Sequence, residues 1–95
     1  MRFEWDDQKA LENVKKHGVT FGEATEVFYD PNALEDYDVG HSVGEARFVI
    51  IGMSSRRLLY VIYAERVADL VRIISARKAG RIQEEIYERT RTINR

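Results

Sequence analysis

Apolar residues recur along this chain with two different periods, and the change comes near residue 33. Before it the spacing is helical. Residues 2–5 form a short extended lead-in. Asp6 is placed to cap a helix running through His17, and Gly18 is placed to end it in a left-handed conformation. Ala10, Leu11 and Val14 form the expected apolar stripe of that helix. Thr20 opens a second helix and makes a capping box with Glu23, three residues on. Phe21, Ala24, Val27 and Phe28 follow at helical spacing, and Asp30-Pro31-Asn32 predicts a stop and a turn.

Beyond the turn the pattern is that of strands. Residues 33–39 predict a weak, acidic edge strand. Residues 47–54 predict a strong one, because 48–53 (FVIIGM) are apolar on both faces. A turn at 54–57 leads to a strand at 58–65, with Leu59, Val61, Tyr63 and Glu65 on one face. A second turn at 67–69 leads to a last strand at 70–74. Connections this short predict an antiparallel meander. Ser75 is placed to cap a final helix over about 76–90, with Ala79, Ile82 and Ile86 inward and the pairs Arg81/Glu85 and Glu85/Arg89 outward. The expected class is therefore α+β: two N-terminal helices, a small antiparallel sheet of three to four strands, and a C-terminal helix. The sheet is needed to bury the apolar faces of the helices.

Composition narrows the function classes. Ninety-five residues predict one domain. With no cysteine, disulfides and thiolate metal sites are excluded, in keeping with a reducing, cytoplasmic setting. Residues 1–7 (MRFEWDD) lack the apolar run of a signal peptide, and no stretch has the length to span a membrane. Net charge is −1, but unevenly spread. Residues 1–45 hold eleven acids and four bases, whereas residues 46–95 hold five acids and eleven bases, ten of them arginine. Arginine forks onto phosphate and carboxylate better than lysine does. The basic half suits a polyanion; the alternative is ion pairing between the two halves.

Several polar residues exceed what a bland fold requires. Arg72 lies within the last expected strand, either pairing with Glu65 next door or clamping a phosphate. Arg77 and Lys78 fall in the first turn of the expected last helix, where cations oppose the helix dipole. An anion at that helix N-terminus would offset the cost; the alternative is pairing with Asp69 or Glu45. His41 lies in a cluster with Ser42, Glu45 and Arg47 and can act as acid or base near neutral pH, although a lone loop histidine is more often structural. His17 suits a helix C-terminus. Tyr60, Tyr63 and Tyr87 are candidates to stack on bases, or they simply pack. No metal-ligand spacing, Gly-rich phosphate loop or nucleophile elbow is present.

In order, the chain carries residues 3–9 (FEWDDQK), Asn13, and 16–19 (KHGV). Phe21, Glu23, Ala24, Val27, Phe28, Asp30 and Pro31 follow. Then come His41-Ser42 with Glu45 and Arg47, Ile51-Gly52 with Ser54, Arg57-Leu58-Leu59, Glu65-Arg66, residues 72–79 (RIISARKA), Glu85 and Tyr87. This series, spanning nearly the whole chain, resembles the BrnT toxin family. Arg56 is a departure, since such toxins often carry glycine in that turn. The resemblance implies a RelE-like fold and an endoribonuclease toxin of a type II toxin–antitoxin system. It also implies a cognate BrnA-like antitoxin as partner, with DNA contacted only through the antitoxin, and RNA as substrate, including mRNA on the ribosome.

Such cleavage uses the RNA 2′-OH as an internal nucleophile, so no cofactor or metal is expected. The protein must stabilise the phosphorane charge and move two protons. Arg72, Arg77 and Lys78 are the candidates for the phosphate. Glu65 or His41 would accept a proton, and Tyr63 or Tyr87 would donate one. Arg47 and Arg66, with the tyrosines, would bind the RNA strand. The competing expectation is a non-catalytic module that binds RNA or protein through the same basic half.

Overall fold

The computed structural model describes residues 1–38 and 44–93. The chain forms β1 (Arg2–Glu4), α1 (Asp7–His17), α2 (Phe21–Glu26), a 3-10 turn (Val27–Tyr29), β2 (Leu34–Tyr37), β3 (Phe48–Met53), β4 (Leu58–Val67), β5 (Leu70–Lys78) and α3 (Arg81–Ile93).

α1 begins and ends as its sequence dictates. The Asp6 carboxylate accepts the Lys9 N–H at 2.9 Å. Gly18, at φ 67°, donates its N–H to the Val14 carbonyl, a backbone conformation that costs glycine nothing. The inward face is not the expected one. Leu11 is 61 % exposed and Val14 43 %, whereas Asn13 is buried. At 3.6 residues per turn, Leu11 projects almost opposite Asn13. The Asn13 amide donates to the carbonyls of Val19 (2.9 Å) and Ala76 (2.8 Å) and accepts the Ala76 N–H at 3.1 Å. On that side β5 has no strand beside Ala76, since β1 pairs only with Leu70, Val71 and Arg72. Asn13 takes the place of the missing strand and satisfies both peptide groups of Ala76.

α2 is shorter than expected and tightens into the 3-10 turn before Phe28. Thr20 Oγ1 accepts the Glu23 N–H at 3.0 Å. The reciprocal half of the capping box is absent, because the Glu23 carboxylate turns to Arg57 instead.

The sheet has five strands in the order β1-β5-β4-β3-β2, rather than three to four. It is mixed: β2, β3, β4 and β5 are antiparallel, but β1 joins β5 in parallel. A further correction concerns the last junction. Ser75 does not cap a helix, since β5 continues through Lys78 opposite Leu59, with a register shift near Ile62/Tyr63. β4 is ten residues long and offers pairing partners along its length, and a helix starting at Ser75 would leave those groups unpaired. α3 starts only after Gly80, whose N–H is taken by Gln83 Oε1 at 2.8 Å.

α1, α2 and the 3-10 turn cover one face of the sheet. Ile50, Leu59, Val61, Tyr63 and Ile73 point there with Phe21 and Val27, all at 2 % exposure or less. Gly52 suits this face, because an added Cβ would lie 3.0 Å from that of Val27 and force its neighbours to shift. The other face carries Glu4, Arg72, Arg77, Tyr60, Ile62, Val49, Ile51 and Asp36, and none of them is fully buried. α3 reaches that side beside β3, with Gln83 and Ile86. Ile82 and Ile86 are not inward as expected, at 69 % and 40 % exposure; Tyr87 is the buried residue of α3. Among the described residues no helix is long and apolar enough to cross a membrane.

Candidate active site

The open face gathers some of the expected site residues and scatters others. Arg77 stands on β5 opposite Tyr60. Its guanidinium lies over the Tyr60 ring, 4.2 Å from its centre, a cation–π contact that helps hold it in place. Its guanidinium also donates to the Lys78 carbonyl at 3.4 Å. Among the described residues it has no carboxylate partner, neither Asp69 nor Glu45 nor any other. Arg77 thus presents an uncompensated cation on a half-exposed surface.

The other arginines of this face are shared among carboxylates. Arg72 pairs with Glu4 at 3.4 Å, not with Glu65. Glu4 also meets Arg66 at 3.7 Å, Arg66 meets Glu45 at 3.4 Å, and Glu45 meets Arg47 at 4.0 Å. Glu4 pairs with Arg72 because β1 lies beside β5 in parallel, a neighbour that short-range reasoning does not foresee. Each pair is partly exposed, so each contributes little to stability. Arg72 and Arg77 are five residues apart on one strand, roughly 15 Å at strand rise.

Lys78 alternates to the other side of β5 from Arg77. It lines a cleft of about 280 Å³ with Met53, Arg57, Leu58, Glu84, Tyr87 and Glu88. Glu65 is exposed near the β4–β5 turn, on the strand face opposite to that of Arg77. It is five residues from Tyr60 along β4, again roughly 15 Å, so it cannot exchange protons at a phosphate held by Arg77. His41 lies outside the described residues.

Two of the three tyrosines are unavailable to bases. Tyr63 is 2 % exposed, packed between Phe28 and Phe48, and donates to Glu35 at 2.9 Å. Burial, then Glu35, pushes its phenol well above the usual range. Tyr87 is 3 % exposed and donates to Asp30 Oδ2 at 2.6 Å. Burial and the Asp30 carboxylate raise it to about 12, which makes it a poor proton donor. Burial disfavours the Asp30 anion, but the Tyr87 hydroxyl and the N–H groups of Met53 and Asn32 outweigh it and hold the pKa low. Tyr60 alone keeps an accessible ring on the open face.

Two features escape sequence reasoning. One is the clamp on Glu23. Arg57 grips its carboxylate through two bonds of 3.0 and 2.8 Å, and the Ser54 hydroxyl adds a third at 2.8 Å. Arg57 and then Ser54 hold the Glu23 pKa low against burial. This joins α2 to the β3–β4 turn and is structural. The other is a cleft of about 290 Å³ on the open face, lined by Asp36, Tyr37, Asp38, Val49, Ile51, Tyr60, Gln83 and Ile86. Among the described residues no three His, Cys, Asp or Glu side chains are grouped to hold a metal ion.

The family model of the ribonuclease toxin BrnT of type II toxin–antitoxin systems matches residues 5–82. The chain belongs to the BrnT family. Its match takes in α1, α2 and strands β2 to β5, begins just after β1, and ends within the first turn of α3. The crystal structure of the Brucella abortus ribonuclease toxin BrnT superposes with a TM-score of 0.64 at 24 % identity, over 85 % of this chain and 99 % of that one. At that identity the likeness to the Brucella toxin establishes the fold alone. No curated protein matches the chain.

Proposed function

We propose that this BrnT-family chain cuts RNA by metal-independent attack of a 2′-OH on the adjacent phosphate, on the open face of the sheet around Arg77. The 2′-oxygen forms a bond to phosphorus as the bond to the 5′-oxygen breaks. The 2′-OH proton passes to a base, the leaving 5′-oxygen takes a proton, and the products are a 2′,3′-cyclic phosphate and a 5′-OH. Arg77 supports the reading most directly. It is an uncompensated guanidinium, held in place by Tyr60, where a phosphate can approach from solvent. A preset cation facing the developing charge needs no reorganisation during the reaction. Arg66, Arg47 and Arg72 continue along the same face as strand-binding groups. His41, carried by its place in the family series, is the proton acceptor in this reading. In this reading Lys78 and Glu65 take no part in the reaction, and Tyr63 and Tyr87 support the fold.

A BrnA-like antitoxin neutralises the toxin by covering this same face. The test is induced expression of wild type beside Arg77→Ala, with 5′-hydroxyl RNA ends mapped and growth followed. New 5′-OH ends and growth arrest in the wild type, reduced about a hundredfold or more in the variant, are expected. Equal cleavage by the variant removes Arg77 from the site. A folded wild type that binds RNA but makes no new ends identifies a non-catalytic binding module instead.

A further inference from the structure

The cleft beside Arg77 has a composition that phosphate chemistry does not explain. Carboxylates repel a phosphate, yet Asp36 lines this cleft, one strand beyond the apolar residues Val49 and Ile51. Tyr60 belongs both to the cleft and to the Arg77 contact. The volume, about 290 Å³, lies at the lower end of small-molecule sites. Gln83 borders it from α3. Its Oε1 is occupied by the Gly80 N–H at 2.8 Å, which fixes the amide orientation and leaves its NH₂ as the available group.

The geometry points to a guanine subsite: the cleft takes the base of the nucleotide whose phosphate lies on Arg77. This rests on the ribonuclease reading for its biological setting, but its binding chemistry can be tested separately. The base is neutral, so an acidic wall does not repel it. The cleft offers an apolar floor, an amide donor from Gln83, and the Asp36 carboxylate, whose Oδ1 accepts the Tyr37 N–H at 2.8 Å and whose remaining lone pairs are the acceptors. Guanine presents two adjacent donors, N1–H and N2–H₂, which a carboxylate accepts together, and O6 and N7 acceptors for the amide. Adenine turns its N6 donor toward the amide donor and its N1 acceptor toward the carboxylate. Uracil has carbonyl acceptors on both sides of its single donor, and cytosine sets a ring acceptor next to its amino donor. Only guanine pairs with both groups. Single-stranded RNA is read through such edges once bases are splayed onto apolar or aromatic side chains.

The test is titration of the intact chain with 3′-GMP, 3′-AMP, 3′-CMP and 3′-UMP, followed by NMR and calorimetry. The expected result is 3′-GMP binding about tenfold or more tighter than the others. Its shifts should centre on Asp36, Val49, Ile51, Tyr60 and Gln83, and the preference should vanish in Asp36→Asn and weaken in Gln83→Leu. Asp36 is exposed on a short strand, so its variant keeps the fold. Equal affinity for all four nucleotides, shifts elsewhere, or an undiminished preference in Asp36→Asn overturns the subsite. RNA cleavage without bias toward guanine also overturns it while leaving the ribonuclease standing. Selective 3′-GMP binding by a chain that cuts no RNA does the reverse.

Discussion

The two faces of the sheet are built from the same alternating strands, yet they treat polar groups in opposite ways. Under the helices, each polar group has a short, specific partner: Asn13 on Ala76, Tyr63 on Glu35, and Glu23 on Arg57 and Ser54. On the open face, Arg72, Arg66 and Arg47 share Glu4 and Glu45 over 3.4 to 4.0 Å, and Arg77 has only an aromatic ring and a distant carbonyl. Burial explains the difference. A polar group removed from water costs free energy unless it is fully bonded, whereas a group left in water can wait for a ligand. One face spends its chemistry on the fold, and the other keeps it available.

The largest effect should come from the covered face. Tyr63→Ala removes a ring 2 % exposed and should cost about 3–5 kcal/mol in urea unfolding, as large aromatic truncations do. A loss under 1 kcal/mol would erase the contrast between the faces. Next is Asn13→Ala, which strands the N–H and carbonyl of Ala76 and the carbonyl of Val19. Its expected cost is about 2–3 kcal/mol, with faster hydrogen exchange at Ala76.

Acid should sharpen the comparison. The folded-state pKa of Glu23 lies below its ordinary value of 4.5 because of Arg57 and Ser54. Its contribution is therefore complete above about pH 4.5 and lost as pH falls through the lower folded value. Stability followed by circular dichroism should drop over that acid range, and Glu23→Gln should flatten that part of the profile while lowering stability at pH 7. The smallest effect belongs to the open face. Arg72→Ala, in a partly exposed pair, should change unfolding by less than about 1 kcal/mol while weakening the salt dependence of RNA binding. A larger stability loss would mean that this row belongs to the fold and not to the surface chemistry.

Local signals in the sequence were reliable wherever local chemistry decides. Asp6, Gly18, Thr20 and the Asp30 turn act within a few residues, and the apolar run 48–53 makes its strand in any context. Errors arose where distant partners decide. Leu11 and Val14 have the right spacing for a stripe, but a side-chain amide on the adjacent face bonds β5 and sets the rotation of α1. Helix propensity after Ser75 yields to pairing with a long β4. Arg72 finds Glu4 because β1 lands beside β5. For the site, the series 72–79 offers Arg72, Arg77 and Lys78 together, and nothing in it separates Arg77 from Lys78 on the opposite side of the strand. Asp36 and Gln83 come from distant parts of the chain, and only the fold makes them neighbours.

The role of Asn13 has a consequence for how such a protein behaves when crowded. The peptide groups that Asn13 occupies at Ala76 are what an extended segment of another molecule would seek, since an uncovered sheet margin templates intermolecular β-pairing. A single amide, carried on a helix, seals that margin without adding a strand. It therefore protects solubility as well as the fold, and a chain that lost it would be prone to polymerise through β5 even where its active face stayed intact.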